Sequence, residues 1–424
     1  MNLVRTKGGV RTDIMNPALS QTTAACLFFA MAAPAAVLAG DAPTAANSAP
    51  NAKTSRAISA SDVRPHVEYL ASPRLEGRGT PRGKQLARDY LRRQFEELQL
   101  APLFGKTGYF QDIPGPAGQD GERSVLGRNI GGWIRGSDPE LRDEFVILSA
   151  HYDHLGVDKE GRIYTGADDN AGSVAMMLEV ARQFTRAEKR PRRSLVFLSC
   201  DLEEKLLWGS RRFVAHPPWP IQQVKLFITA EMIGRTLGDL PMKTIFVLGA
   251  ERGEGLRNTV NDVALPPELE VAHLGIDIVG TRSDYGPFQS ENVPFLFFSG
   301  GEHPDYHTPR DTANRVDYMR VAQVSNLIAS VCRTVADAQT PPAWIEKPRH
   351  GLDEVRALHG ITELLLSSDN AGQDAGRPRL TQVQRFAVTN MHQRTTQILE
   401  RGQVLPDERP WLVRSAQVLM LTVF

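Results

Sequence analysis

The chain has 424 residues, which is enough for one large domain or two ordinary ones. Hydrophobic residues make up 41% of it and charged residues 23%, which is typical of a globular protein with a sizeable buried core. The formal net charge is zero. Because nucleic-acid-binding proteins usually carry a basic excess, no nucleic-acid partner is predicted.

The N-terminal segment has the pattern of a cleavable signal peptide. Basic residues precede an apolar run at 24–39, and small residues at its end predict cleavage after Ala39. The run is short and broken by Pro34, so it does not predict a membrane span in the mature chain. We therefore expect a periplasmic or secreted protein. An uncleaved anchor is the alternative, and the start at Met1 or Met15 stays open.

Two changes in composition divide the rest of the chain. Residues 40–57 are small, polar and Pro-containing, which predicts a disordered linker. Pro341 and Pro342 mark a later boundary, beyond which the sequence looks helical. The predicted segments are a signal peptide at 1–39, the linker at 40–57, a main domain at 58–340 and a helical C-terminal extension at 341–424.

Short apolar runs in the main domain alternate with segments of helical periodicity. The runs predict strands at 145–148, 194–198, 226–228, 244–248 and 295–298. Helices are predicted at 81–98, at 173–186 and after the last strand. Near-continuous apolar strands are buried on both faces. The pattern predicts an α/β fold with a mostly parallel central sheet and helices on both faces.

Metal-type side chains follow the first of these strands. His151 is a candidate zinc ligand, and Asp153 could accept the hydrogen bond of its other ring nitrogen. The alternative is a pair of turn residues at a strand end. Asp168 and Asp169 lie on a Gly-flanked loop before a helix. One of them could bridge two cations, or the pair could cap the helix. His154 receives no role.

Carboxylates follow the second and third strands. Glu203 and Glu204 are adjacent, so one could bind metal while the other acts as general base. The alternative is an acidic first turn of a helix. Glu231 is a single carboxylate at a strand end among apolar residues. It needs either a metal or a cation such as Arg235 as a partner.

The last strand is followed by a His-rich turn. His307 is a second candidate imidazole ligand, and His303 is an alternative to it. Tyr306 could donate a hydrogen bond to a developing oxyanion. Asp311 could orient His307 from behind.

The five motifs share one position in the predicted fold. Each follows a strand or lies in a strand-to-helix loop, where open parallel sheets bind their ligands. Together they supply two imidazoles, a bridging carboxylate and two further carboxylates. This is the ligand set for two zinc ions with open positions for water and substrate.

The order and spacing of the motifs resemble peptidase family M28, whose familiar members are secreted bacterial aminopeptidases. The resemblance runs from about residue 70 to 338 and includes L-A-S-P-R-L-E-G-R-G at 70–79. It implies the zinc exopeptidase fold. Two departures are Glu231, where the family commonly has Asp, and Leu202, where Gly usually precedes the Glu pair. The extension has no counterpart in the family.

The resemblance also implies a role for each residue. One zinc ion would be held by His151 and Glu231, the other by Glu204 and His307, and Asp169 would bridge them. Glu203 would be the general base, and Tyr306 would donate a hydrogen bond to the oxyanion. Asp153 would be the partner of His151, and residues 283–285 would form the substrate-pocket segment.

The expected protein is thus an exported metallo-exopeptidase with two Zn²⁺ per chain and peptide substrates, which removes N-terminal residues. The alternatives are a carboxypeptidase or an aminoacyl cyclase on the same fold, or a non-catalytic binding domain. The two mature cysteines, Cys200 and Cys332, are predicted to be buried free thiols. Oligomeric state is not predicted.

Overall fold

The structure, a computed structural model, describes residues 56–118, 121–371 and 379–424. The predicted signal peptide, with its cleavage after Ala39, lies outside the described residues, as does nearly all of the predicted linker. The described residues fall within a single unit, Thr54–Phe424.

The described chain combines strands and helices up to residue 337 and is helical from residue 352. Its strands are β1 (Ala101–Pro102), β2 (Phe110–Ala117), β3 (Arg123–Ile134), β4 (Phe145–Ser149), β5 (Gly156–Val157), β6 (Ile163–Tyr164), β7 (Ser194–Ser199), β8 (Val224–Glu231), β9 (Thr244–Leu248), β10 (Glu270–Leu274) and β11 (Phe295–Ser299). Its helices are α1 (Ala60–Leu70), α2 (Pro81–Glu97), α3 (Gly172–Thr185), α4 (Trp208–Ala215), α5 (Leu256–Asn261), α6 (Tyr285–Ser290), α7 (Tyr318–Asp337), α8 (Leu352–Ala371), α9 (Gln382–Arg401) and α10 (Glu408–Thr422).

One large sheet organises the fold, in the order β1-β3-β7-β4-β8-β11-β9-β10, with β2 paired to β3. The four central strands, β7, β4, β8 and β11, are parallel to one another. The predicted α/β class is confirmed. The antiparallel β2–β3 hairpin was not predicted, because the first half of β3 is exposed and carries no continuous apolar run.

The central strands are buried on both faces, and alternate residues serve two separate cores. In β4, Val146 and Leu148 pack in a core with α1, α2, α3 and α7, which we call the first face. Phe145 and Ile147 pack in a core with α4, α6 and α8–α10, which we call the second face. This period-2 division explains why the strands read as continuous apolar runs.

Local sequence signals set the ends of the helices on the first face. Helix α2 has Pro81 at its first position, and the Thr80 side chain accepts a hydrogen bond from the Gly83 N–H at 3.0 Å. Helix α7 begins after Asp317, whose carboxylate accepts the first free N–H groups of that helix. The buried thiols are unpaired, since Cys200 and Cys332 are both free.

The C-terminal extension closes the second face. It starts with a bridge between Trp344 and Gly253, and α8 then packs beside β10. The buried side chains of the three helices join the same core as Phe246 and Phe297 of the sheet. The predicted helical character is confirmed. None of the described helices is long and apolar enough to cross a bilayer.

Replacing Leu412 with Ala tests whether the extension is part of the folded body. Leu412 on α10 is 0% exposed, so its truncation should lower the free energy of unfolding by about 3 kcal/mol, in the middle of the usual range for buried leucines. Urea denaturation followed by tryptophan fluorescence measures the change. Leu421→Ala is the control on the same helix, because Leu421 is 82% exposed. Equal unfolding midpoints for the two variants would contradict this packing.

Candidate metal centre

The candidate ligands lie on loops at the carboxyl ends of the central parallel strands. Asp169 belongs to the helical turn Ala167–Ala171 that precedes α3. Glu231 is the last residue of β8, and the others follow β4, β7 and β11; these four strands are neighbours in the sheet. The structure gathers all six side chains named as ligands or base at one edge: His151, Asp169, Glu203, Glu204, Glu231 and His307.

Asp169 is the central residue of the cluster. Its Oδ1 lies 3.3 Å from His151 Nε2, and its Oδ2 lies 3.2 Å from His307 Nε2. A second carboxylate faces each imidazole. Glu231 Oε1 is 3.7 Å from His151 Nε2, and Glu204 Oε2 is 3.1 Å from His307 Nε2. Two groups of ligand atoms therefore share one carboxylate.

These spacings fit two zinc ions. A tetrahedral zinc site holds nitrogen and oxygen ligands at about 2.0–2.2 Å, so two ligands of one ion lie about 3.3–3.6 Å apart. The four imidazole–carboxylate contacts span 3.1–3.7 Å. Imidazole and carboxylate are also the ligand types that open zinc sites use. The donor set thus suits an ion on each side of Asp169, and the assignment of individual ligands stays a prediction.

The electrostatics of the cluster favour positive charge. Although burial opposes it, His151 and His307 hold the pKa of Asp169 well below its usual range. Burial lowers the imidazole pKa of His307, but the neighbouring Asp169 and Glu204 outweigh this effect and raise the pKa to about 10. Protons and metal ions compete for such a site, since ligands must be deprotonated to bind.

Glu203 lies beside the ligands. Desolvation raises its pKa well above the usual range; His151 opposes the rise and Glu231 adds to it. Its backbone N–H donates to Asp153 Oδ1 at 3.1 Å, so Asp153 fixes the position of Glu203. The same carboxylate lies 3.9 Å from His151 Nδ1, whereas the Asp153 carbonyl lies 3.2 Å from that nitrogen. Asp153, the predicted partner of His151, therefore contacts this imidazole mainly through its backbone carbonyl oxygen.

The departure at Leu202 has a visible backbone cost. Leu202 has φ 59°, in the left-handed region that favours glycine. For a residue with a side chain this conformation costs about 1–2 kcal/mol. The Leu202 side chain is 4% exposed, so its burial offsets the strain.

Arg78 holds the loop that carries Asp169. Its side chain is 1% exposed and donates to carbonyl oxygens of Leu70, Tyr152, Thr165, Gly166 and Asp169 at 2.6–3.4 Å. Burial lowers its pKa to about 10, which leaves it charged at neutral pH. Gly77, directly before it, has φ +59°, and a Cβ there would lie 2.3 Å from the Tyr164 carbonyl oxygen. The Gly-Arg-Gly segment is thus a clamp on the ligand loop.

The predicted contact between Asp311 and His307 is not found. The carboxylate of Asp311 instead accepts the N–H groups of Asp168 and Asp169, at 2.9 and 3.0 Å. The reason is that the loop after β11 returns beneath the Asp169 turn, where backbone donors need partners. Asp311 thereby positions Asp169 rather than an imidazole.

The residues weighed as alternatives make other contacts. Asp168 accepts a hydrogen bond from the Gly234 N–H at 2.6 Å and lies 3.4 Å from His303 Nε2, so both residues lie outside the ligand groups. Arg235 pairs with Asp305 at 2.8 Å instead of Glu231. Glu231 accepts from the Ser283 hydroxyl at the predicted pocket segment.

His154 is a residue that sequence reasoning left without a role. Its Nδ1 lies 2.7 Å from Glu204 Oε1 and 3.6 Å from Asp169 Oδ2. The ring is buried, and Nε2 has no hydrogen-bond partner in the described part of the chain. The signal was its position in H-Y-D-H, three residues after His151, on the same loop. His154 therefore belongs to the ligand group of Glu204 and His307.

Tyr306 lies against the cluster. Its ring stacks on His307 with the centroids 3.9 Å apart. Burial and the charge of Asp169 both raise its pKa, which keeps the hydroxyl protonated as a hydrogen-bond donor. Tyr306 and Glu231 also line a cavity beside the cluster.

An α/β sheet with imidazoles and carboxylates gathered at its carboxyl edge is the arrangement of the zinc exopeptidase fold. Residues 129–332 match the model of peptidase family M28. The predicted resemblance is confirmed.

Similar proteins include both hydrolases and cyclases. A vacuolar membrane protease of Tuber melanosporum is 35% identical over 28% of this chain and 13% of its own length. The glutaminyl-peptide cyclotransferase of Bothrops jararaca is 24% identical over 44% of this chain and 61% of its own. Aminopeptidase YwaD of Bacillus subtilis is 22% identical over 48% of this chain and 44% of its own length. The chain thus spans less than two thirds of each of these relatives.

Solved structures share the fold. The LapA aminopeptidase of Legionella pneumophila has a TM-score of 0.52 at 18% identity, covering 67% of this chain and 73% of its own. A Zn-dependent exopeptidase from Parabacteroides distasonis has a TM-score of 0.51 at 19% identity, and the match covers 66% of this chain and 99% of the exopeptidase.

Replacing Arg78 with Met tests the clamp. The change leaves buried carbonyl groups without donors, so the free energy of unfolding should fall by about 3 kcal/mol or more. Urea denaturation measures this. Arg82→Met is the control, because Arg82 is an exposed arginine one turn away. We expect the control to unfold like wild type, and a matching result for Arg78→Met would show that the clamp is dispensable.

Proposed function

We propose that this chain is an exported aminopeptidase that uses two zinc ions and removes N-terminal residues from peptides. The observation that carries the proposal is Asp169, whose two oxygens face two different imidazoles at 3.3 and 3.2 Å. A carboxylate shared in this way is the bridge that a two-metal hydrolase requires. Export rests on the signal-peptide pattern that ends at Ala39.

The proposed ligands are His151 and Glu231 on one side, and Glu204 and His307 on the other, with Asp169 between them. Bound zinc would supply a water that ionises near neutral pH and would polarise the scissile carbonyl.

The proposed catalytic residues are Glu203 and Tyr306. The carboxylate of Glu203 accepts the proton of the attacking water and delivers it to the leaving amine. Burial raises the pKa of Glu203, so this environment favours the uptake of a proton by its carboxylate. The Tyr306 hydroxyl donates a hydrogen bond to the oxyanion that develops on the substrate carbonyl.

The alternative activities are separable by product. An aminopeptidase releases a free amino acid from peptides with an unblocked N-terminus, and a carboxypeptidase does so from those with an unblocked C-terminus. A glutaminyl cyclase releases ammonia from an N-terminal glutamine, and a cyclotransferase is among the relatives. A panel of aminoacyl anilides, blocked peptides and glutaminyl peptides, each assayed with and without a chelator, distinguishes these activities from a non-catalytic binding domain.

Replacing Glu203 with Gln should leave zinc in place and lower turnover by about 10²–10⁴-fold, because the amide cannot accept the proton. Steady-state kinetics on an aminoacyl anilide and metal analysis of the same sample measure both effects. Glu291→Gln, at an exposed glutamate, is the matched control. Near-normal turnover in Glu203→Gln would exclude this residue as the base.

Metal analysis should find about two zinc ions per chain, as a shared carboxylate site predicts. Asp169→Asn should reduce zinc content more than either His151→Ala or His307→Ala, because only Asp169 contacts both groups. Asp143→Asn, at an exposed aspartate, serves as the control. A wild-type content near one ion would argue for a mono-zinc enzyme instead.

A further inference from the structure

A cavity lies between the metal centre and the C-terminal extension. On one side it is lined by Glu231 and Tyr306, which also belong to the candidate metal centre. Its floor includes Phe246 and Phe297 of the second face. A ligand held at the metal centre could therefore extend a side chain directly into this space.

The wall facing the metal centre is made by the extension. All three of its helices contribute apolar side chains, including Leu358 from α8, Met391 from α9, and Ala416 and Met420 from α10. These are elements for which the sequence showed no counterpart in the family. Without them, the cavity would be open on this side.

The charged side chains of the cavity favour an uncharged occupant. Besides Glu231, the charged residues among the described lining are Arg282 and Glu302, and these pair with each other at 3.2 Å. The described lining therefore contains no free cation that could pair with a carboxylate of the substrate. A cationic side chain would lie among aromatic and aliphatic groups and lose its solvation.

We propose that the C-terminal extension forms the far wall of the pocket for the terminal side chain of the peptide, and so selects large apolar residues such as Leu, Met or Phe. This inference rests on the proposed aminopeptidase function and assigns its substrate class. The extension is accordingly a specificity element as well as part of the folded body. Hydrophobic pockets discriminate by about 10–200-fold per methylene group, so small changes in this wall should be measurable.

Ala416→Leu tests the proposal by filling the cavity from α10. We expect kcat/KM on leucyl and phenylalanyl anilides to fall by about 10-fold or more, with little change on alanyl anilide. Ala387→Leu is the matched control: Ala387 lies on α9 in the extension, is partly buried and does not line the cavity. Circular dichroism and thermal melts check that both variants fold.

Met420→Ala provides a second, opposite test. It enlarges the same wall, so the ratio of kcat/KM for phenylalanyl over leucyl anilide should rise. Since Met420 is only partly buried, this variant should fold even if Ala416→Leu does not.

The outcomes separate the inference from the function on which it rests. A wild-type protein that hydrolyses no aminoacyl anilide overturns the proposed aminopeptidase function itself. A wild-type protein that is active but prefers alanyl or charged residues overturns the pocket assignment. The same holds if Ala416→Leu behaves like Ala387→Leu, or if Met420→Ala leaves the phenylalanyl-to-leucyl ratio unchanged.

Discussion

The site depends on one shared carboxylate, that of Asp169. A side chain with two oxygens can face two imidazoles only if its backbone is held so that both lone-pair directions are open. Here the backbone is held from two sides. Arg78 binds the carbonyl oxygens of the ligand loop, and Asp311 binds its N–H groups. The polar groups of an irregular buried turn are thereby satisfied without using the Asp169 side chain.

A second constraint is the excess of buried acidic groups. Asp153, Asp169, Glu203, Glu204 and Glu231 lie within one small volume, and their pKa shifts point in opposite directions. The pKa values of Asp169 and Glu204, which both face His307, are lowered despite burial, whereas desolvation raises those of Asp153, Glu203 and Glu231. Divalent cations at this site would resolve this conflict, because each would bring two positive charges close to the carboxylates.

The sequence predicted the central sheet and the residues at its carboxyl edge because both leave local signals. Buried strands such as β4 and β7 are continuous apolar runs, and polar residues follow them at once. Other features depend on contacts between distant segments and leave no local pattern. Three features are of this kind. They are the contact of Asp311 with the Asp169 turn, the place of His154 in the ligand group of Glu204 and His307, and the contact of the extension with the cavity. The hairpin β2–β3 escaped prediction for another reason, since its exposed half resembles a polar loop.

The Arg78 clamp has a consequence for how the protein reaches its native state. The five carbonyl groups that it binds range from Leu70, 8 residues before Arg78, to Asp169, 91 residues after it. Closing such distant contacts is slow in folding, because the chain entropy is lost before the contacts form. The shape of the ligand loop therefore depends on tertiary contacts with the segments around Leu70, Tyr152 and Thr165. A metal site on this loop would be a property of the assembled sheet and not of the local sequence alone.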